Sequence, residues 1–499
     1  MSFFAPENLR TVCGGRWLAR PQRPPAPAVS GVSVDSRSIE AGQVFVAIKG
    51  ERFDGHAYLL AAARAGSPVL IVQDEGAFRA VMADLAPAAH VLLVSDTRKT
   101  LARMAAAYRR TLERTKVIAV CGSNGKTTTT RLIAAALATK LRGTAPKKSF
   151  NNDIGVPLTI LSAKTNDQYL ICEVGSNAPG EIATLGAIVE PDIAVITSIG
   201  REHLQGFGDL GGVAREEAAI LAFLRPGGAA VVVADAPEIR PLTQPIANVV
   251  LFGRAGDAAL RLTSFEHVRM DEVFGSGSVL AGAIPDGIRL SVNGRASFVV
   301  PLVGEHNALN AMAAVAVARR VGLADEDIAA GLASATPPEM RFQRSTLGRV
   351  TIVNDAYNAN PESTLAALRT FAALYAGADR RVVVLGDMLE LGDATESAHR
   401  EIGQAVLELG CIDLLATVGE RAALAGELAR TAWGESPARV LSVPAADETG
   451  AADIAAILRP GDAVLLKGSR GMALEGIIRA LRARLANEGS PAPAPASRR

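Results

Sequence analysis

The stretch "CGSNGKTTTT", Cys121 to Thr130, sets two glycines, a lysine and a run of threonines between the apolar "KVIAV" and the helix-forming "RLIAAALATKL". Strand, glycine turn and helix in that order make a phosphate-binding loop. Gly122 and Gly125, with Ser123 and Asn124 between them, let the backbone aim its N–H groups at an anion. The helix N-terminus that follows favours negative charge. Lys126 can reach the β- and γ-phosphates of a nucleotide, and the hydroxyl of Thr127, with Thr128 beside it, can hold Mg²⁺. The full Walker pattern has a further glycine where Val120 stands, so this loop is a shortened form. A glycine turn with a chance lysine is the bland alternative, and the flanking strand and helix speak against it.

Two more residues carry chemistry. "YLICEVG" puts Glu173 at the C-terminal end of a strand, and "AVITSIGREHLQGFG" puts His203 shortly after the end of another. Ligands of open α/β sheets gather at those ends. A carboxylate and an imidazole there could hold a second Mg²⁺ or orient a reacting group. Taken alone, the glutamate fits a solvated strand end and the histidine a loop hydrogen-bonder; beside a phosphate loop they become site candidates. The loop by itself would equally suit a motor or a switch.

These residues need a scaffold, and the chain has room for several. Its 499 residues suggest about three domains at ~150 residues each. Hydrophobic residues make up 49%, enough for sizeable cores, and a net charge of +1 offers no field for nucleic acid. Cys13, Cys121, Cys172 and Cys411 form no CxxC pair, which argues against a disulfide framework or a structural zinc and suits a reducing, cytoplasmic setting. "MSFFAPENLR" lacks the features of a signal peptide, and no apolar stretch reaches the ~18 residues of a membrane span.

The first part alternates short apolar runs ("VFVAIKG", "PVLIVQD", "HVLLVSD") with turns, includes the proline-rich loop "PQRPPAPA", and ends in the helical "TRKTLARMAAAYRRTLER". From Lys116, strands and helices alternate, which predicts a parallel sheet covered on both faces. Residues 258–303 read as short β-hairpins, "GEHNALNAMAAVAVARRVG" as a helix and "TPPEM" as a linker. A fresh series ("VTIVNDA", "RVVVLGD", "IDLLATVG", "ARVLSV", "AVLLKG") predicts a second doubly wound unit. The expected division is 1–113, 114–336 and 337–486, with a low-complexity, disordered tail at 487–499.

Several stretches, in order, resemble the Mur ligases over about residues 30–485. They are "DSRSIEAGQVFVAIKGERFDGH", "GSNGKTT", "NNDIGVPLT", "EVGSNAPGEI", "GEHNALNA", "NDAYNANPEST", "VLGDMLELG" and "LLKGSRGM". The resemblance implies three α/β domains: an N-terminal one that grips a UDP-sugar, a central ATPase-like parallel sheet with a small β subdomain, and a C-terminal Rossmann-like one. "YNANP" and "GDMLELG" are typical of the family's dipeptide-adding branch. The implied reaction spends ATP, with Mg²⁺, to activate a carboxylate as an acyl phosphate. The expected substrates are UDP-N-acetylmuramoyl-tripeptide and D-alanyl-D-alanine, in cytoplasmic peptidoglycan precursor synthesis. A monomer is the simplest expectation.

Carried over position by position, Lys126 would meet the ATP phosphates and Thr127 the first Mg²⁺. Glu173 would bridge toward the metal and His203 would bind the second ion. Asn307 and Asn310 would sit near adenine and ribose, Arg341 would reach the phosphates from across the linker, and Asp355 would hold the ribose or its own segment. Ser36 and Arg37 resemble the UDP-contacting turn, with Lys49 and Arg52 as nearby cations. Asn151, Asn152 and Asp153 resemble sugar-peptide contacts, and Tyr357, Asn358 and Asn360 fall in the dipeptide-branch signature. Asn307 and Asn310 could instead cap a helix, Arg341 could be a surface arginine and Asp355 a turn residue. Because Arg341 and Asp355 lie beyond the linker, the third domain must swing onto the nucleotide.

One position departs from the family pattern. Many Mur ligases place a lysine some fourteen residues after the histidine, and its carbamate bridges Mg²⁺. Here the position holds Glu217, and no lysine occurs between Lys164 and Lys467. Glu217 is expected either to supply a built-in carboxylate to the metal or to be solvated. Rival readings are another Mur-type or folate-polyglutamate-like ligase, or a non-catalytic binding protein on a ligase scaffold. Within the first, the ligase that adds the third residue would show a "DNPR"-like signature that is absent here, and the second sits badly with Lys126 and Glu173 both present.

Overall fold

The structure is a computed structural model that describes residues 3–20, 29–51, 53–85, 89–274, 286–434 and 439–488. The proline-rich loop at 21–28, Arg52 and the tail from 489 lie outside the described residues. Three sheets organise the chain.

The first sheet has five strands. "VFVAIKG", "PVLIVQD" and "HVLLVSD" supply the parallel strands Gln43–Val46, Val69–Val72 and His90–Leu93. Sequence reading missed the two edges, Gly31–Ser33 and the antiparallel Arg16–Ala19, which are too short and too polar for a clear period. The helix Thr97–Thr111 is capped by Asp96, which accepts the Lys99 N–H at 2.9 Å. It docks this unit onto the next one: buried Arg109 donates to the carbonyls of Val189 and Glu190, both at 2.7 Å.

The second sheet has nine strands, running in space Ala296–Val300, Asp286–Val292, Leu260–Arg269, Val249–Gly253, Ala229–Val233, Ile193–Ile196, Lys116–Cys121, Tyr169–Glu173 and Gly143–Thr144. Its middle strands are buried along almost their whole length, as a sheet covered on both faces requires. The expected β-hairpins are present, but Leu260–Arg269 also pairs in parallel with Val249–Gly253, so they extend the central sheet. The helix Glu305–Val321 packs beside the helix Lys126–Leu137. The chain leaves the strand Lys116–Cys121 for one neighbour and later returns to the other, which opens a crevice at its C-terminal end.

The third sheet has six strands: Gln343–Leu347, Val350–Asn354, Asp462–Lys467, Arg380–Gly386, Leu414–Val418 and Val440–Val443, all parallel except the first. The strand Gln343–Leu347 was missed because its residues are polar and exposed. Pro361 opens the helix Pro361–Leu374, and Asn360, extended at φ −138°, caps it through Ser363 in a reciprocal capping box. The last helix, Glu475–Glu488, runs two residues past the expected boundary at 486.

Candidate active site

The central and C-terminal sheets enclose a cavity of about 420 Å³, lined from the first by Lys126, Glu173 and Asn310 and from the second by Arg341, Asp355 and Tyr357. The two glycines of the phosphate loop are required by close approach as well as by backbone angle. Gly122 has φ +118°, and a Cβ there would stand 2.3 Å from Thr197 Oγ1. Gly125 has φ +85°, and its Cβ would stand 2.2 Å from Asn310 Oδ1.

The first loop amides do not face the cavity, which corrects the sequence reading. Gly122 N–H donates to Glu217 Oε2 at 2.7 Å, Ser123 N–H to the Ser198 carbonyl at 2.9 Å and Asn124 N–H to Ser198 Oγ at 2.8 Å. At the start of the helix Lys126–Leu137 the first N–H groups have no partner one turn back, an arrangement suited to an anion.

Lys126 Nζ donates to the carbonyls of Gly122 at 2.5 Å and Ser123 at 3.3 Å, and lies 3.9 Å from Glu202. Burial works against its charge, but Glu202, Glu217 and Glu173 together outweigh it and hold the ammonium above its usual pKa. Burial pushes Glu202 up to about 8 despite the pull of Lys126, and raises Glu217 in the same way. Glu217 is 3% exposed and does not line the cavity. It is not solvated: its Oε2 accepts the Gly122 amide beneath the loop.

Glu173 Oε1 accepts from Ser149 Oγ at 2.5 Å, Thr127 Oγ1 at 3.1 Å and Asn151 Nδ2 at 3.2 Å, while its Oε2 is buried with no partner among the described residues. An orphaned carboxylate oxygen beside two hydroxyls is a hard-oxygen environment that fits Mg²⁺. Among the described residues no cluster of three or more His, Cys, Asp or Glu side chains forms a metal cage. His203 lines the cavity, but its Nδ1 contacts Glu390 of the C-terminal domain. Ser149, Glu202 and Glu390 were not singled out from sequence; serines and glutamates at loop positions carry no local signal.

Asn307 and Asn310 are not caps. Asn310 Nδ2 donates to Asn307 Oδ1 at 3.0 Å and Thr129 Oγ1 to Asn310 Oδ1 at 3.3 Å, which ties the helix Glu305–Val321 to the phosphate-loop helix. Nor is Arg341 a surface arginine: it stacks on Tyr357, 4.4 Å from the ring centre, and its Nη2 donates to Thr127 Oγ1 at 3.1 Å. Asp355 accepts from Phe342 N–H at 2.9 Å and pairs with buried Lys467 at 2.9 Å. Lys467 also donates to the Asn358 carbonyl at 2.9 Å, and Asn360 donates to Asn124 Oδ1 at 3.0 Å.

Asn151 and Asn152 line the cavity, whereas Asp153 is turned away onto Arg98 at 2.8 Å. Ser36, Arg37 and Lys49 lie in the first unit, away from the cavity. Arg37 is held by Asp35 at 2.8 Å, and that guanidinium keeps the Asp35 carboxyl down at about 2.

Family models match along the chain in order: the Mur ligase family catalytic domain at 28–109, the Mur ligase middle domain at 120–318 and the Mur ligase glutamate ligase domain at 340–470. The Bacillus subtilis UDP-N-acetylmuramoyl-tripeptide–D-alanyl-D-alanine ligase is 36% identical over 93% of this chain and 95% of its own length. The chain belongs to the Mur ligase family. The Escherichia coli ligase of the same name is 31% identical over 91% of this chain and 94% of its own. Among solved structures, MurF from Acinetobacter baumannii superposes with a TM-score of 0.79 at 29% identity, covering 96% of this chain and 99% of that one. MurF ligase from Thermotoga maritima, in complex with ADP, gives 0.70 at 26% identity over 92% and 99%. These Mur ligases carry the same three-domain α/β architecture.

Proposed function

We infer that this chain is an ATP-dependent amide ligase that joins D-alanyl-D-alanine to UDP-N-acetylmuramoyl-tripeptide, using Mg²⁺. The observation that carries the reading is the shared cavity, in which Lys126 and Glu173 of one sheet meet Arg341 and Asp355 of another, with Arg341 bonded to Thr127 at its edge. The relatives named for this reaction match along more than nine-tenths of this chain.

A carboxylate is a poor electrophile, so amide formation needs a leaving group. A carboxylate oxygen of the tripeptide takes the γ-phosphoryl group of ATP, ADP departs, and the dipeptide amine then displaces phosphate from the acyl carbon. Two anions must approach in the first step, and this chain supplies cations around them. Lys126 stands at the start of the phosphate-binding helix, and Arg341 reaches over it from the other domain. Glu173 Oε2, with the hydroxyls of Thr127 and Ser149, would hold the Mg²⁺, which neutralises phosphate charge when bound. Asn307, Asn310 and Asp355 form the end suited to adenine and ribose, and Asn151 and Asn152 the end suited to the tripeptide. Ser36 and Arg37 would meet the UDP group. The reaction belongs in the cytoplasm on this reading, because its substrate is nucleotide-linked; the four cysteines are free, and no helix among the described residues is long and apolar enough to cross a membrane.

The test is phosphate release from ATP with UDP-N-acetylmuramoyl-tripeptide, with and without D-alanyl-D-alanine. Release that needs both, with a product heavier by the dipeptide, is the expected result. Release independent of the dipeptide, or none with either lysine or diaminopimelate in the tripeptide, would overturn the reading.

A further inference from the structure

His203 and Glu390 meet across the boundary between the central and C-terminal domains, with His203 Nδ1 against a carboxylate oxygen of Glu390. Both hold left-handed backbone angles, φ +49° for His203 and +64° for Glu390. Non-glycine residues keep such angles only where their surroundings impose them, and such outliers cluster at functional sites.

At Glu390 the angle is imposed by fastenings on the three residues before it. Asp387 Oδ1 accepts the N–H groups of Arg421 at 3.1 Å and Ala422 at 2.7 Å. Met388 N–H donates to Nε2 of buried His399 at 3.0 Å, and Leu389 N–H donates to Ser469 Oγ at 3.0 Å. Each residue is thus tied to a different segment of the C-terminal domain, and the chain arrives at the boundary already aimed. There the Glu390 carbonyl accepts the Gln205 N–H of the central domain at 3.4 Å. On the central side, the N–H groups of Gly206 and Phe207 donate to the His203 carbonyl at 2.8 and 3.1 Å, which holds the histidine backbone in its turn.

We propose that Glu390 is a positioning residue for His203: on docking it takes the Nδ1 hydrogen, fixes the ring, and leaves the Nε2 lone pair to Mg²⁺ in the cavity. The assignment rests on the ligase reading above and makes one metal ligand of that reading depend on the C-terminal domain.

A carboxylate has only lone pairs to offer, so Nδ1 must carry the hydrogen in this contact. In the neutral ring that leaves Nε2 bare, the form in which imidazole binds a metal. Nε2 has no hydrogen-bond partner among the described residues, and His203 lines the same cavity as Lys126 and Glu173. A carboxylate on the far nitrogen of a ligating histidine sets its tautomer and orientation, and losing it costs about 10- to 100-fold in metal affinity. Here that carboxylate stands 187 residues away in sequence and on another domain. While the C-terminal domain is undocked the ring is free to turn, so docking completes the ligand.

The Glu390 side chain is 58% exposed, so it can be replaced without opening the core. The wild type is assayed first; no product with the dipeptide would sink the ligase reading itself, whatever the variants show. The positioning role is read by Mn²⁺ binding in place of Mg²⁺, followed by electron paramagnetic resonance with β,γ-imido ATP present. His203→Ala should weaken one equivalent of Mn²⁺. Glu390→Ala should weaken the same equivalent by about tenfold or more, while the affinity for the nucleotide alone, measured without metal, stays put. Glu390→Gln, whose amide oxygen still accepts the Nδ1 hydrogen, should recover most of the loss. In the His203→Ala background, Glu390→Ala should change nothing further. Thermal unfolding shows that each variant is folded. Mn²⁺ binding unmoved by His203→Ala or Glu390→Ala, a glutamine variant as weak as the alanine one, a loss that persists without His203, or a parallel fall in metal-free nucleotide affinity would each overturn the proposal.

Discussion

The two doubly wound sheets turn the C-terminal ends of their strands toward one cavity but equip it in different ways. The central sheet brings charge buried within a single domain: Lys126, Glu173, Glu202 and Glu217 are all shielded, and each is fixed by its own loop or helix. The C-terminal sheet brings amides, a stacked arginine and the exposed Glu390, and several of these find partners only across the domain boundary. The buried charges are preorganised in one domain, while Arg341 and the amide-lined wall take their places by docking.

Removing the centre of the preorganised half should cost most. Lys126→Met should lower kcat by about 10²- to 10³-fold, the scale of losing a group that meets transition-state charge, with the UDP-tripeptide still bound in equilibrium titrations. Next comes the support beneath the loop. Glu217→Ala leaves the buried Gly122 N–H without its acceptor and should cost about 1–3 kcal/mol in urea unfolding. Glu217→Gln should restore most of that. The Mg²⁺ concentration needed for half-maximal activity should be alike in both; a large rise would return Glu217 to the metal.

The docked half is broken at Arg201. Its guanidinium binds Glu362 at 2.6 Å and Glu401 at 2.7 Å across the boundary. Partly exposed pairs of this kind are each worth up to about 1 kcal/mol, so Arg201→Ala should reduce the closed population roughly fivefold. Small-angle scattering with nucleotide should then show a more extended molecule than the wild type. The smallest effect is in pH dependence. Burial raises Glu202 from 4.5 to about 8, so between those values the folded protein holds a proton that the unfolded chain has lost. Stability from this group therefore falls as pH rises through that window. Glu202→Gln should flatten the decline of the melting temperature between them, and an unchanged slope would show that Glu202 is ionised in the fold.

The same contrast governs what the sequence disclosed. The phosphate loop, Glu173 and the run of parallel strands were legible because they depend on local order: apolar runs ending in glycine or in a single acid. Arg341 and Asp355 were legible only through the family likeness, since their partners, Thr127 and Lys467, are 214 and 112 residues away. For Glu217 the solvated alternative fails, and nothing in "GVAREEAAI" reveals that its carboxylate accepts from a loop amide 95 residues earlier. Edge strands such as Gln343–Leu347 have no buried face and so leave no period to read.

The helix Lys126–Leu137 does more than begin at the phosphate site. Its Arg131 donates to the Pro337 carbonyl at 3.1 Å, its Thr127 receives Arg341, and Gly331 lies so close to it that a Cβ would stand 2.5 Å from the Ala135 carbonyl oxygen. Nucleotide pocket and interdomain connector thus share one rigid rod. A shift at the start of that rod would be passed through Arg131 and Thr127 to the segment that joins the two domains. Lesions along its outer flank should therefore alter the pace of turnover, through product escape, while leaving nucleotide affinity as it was.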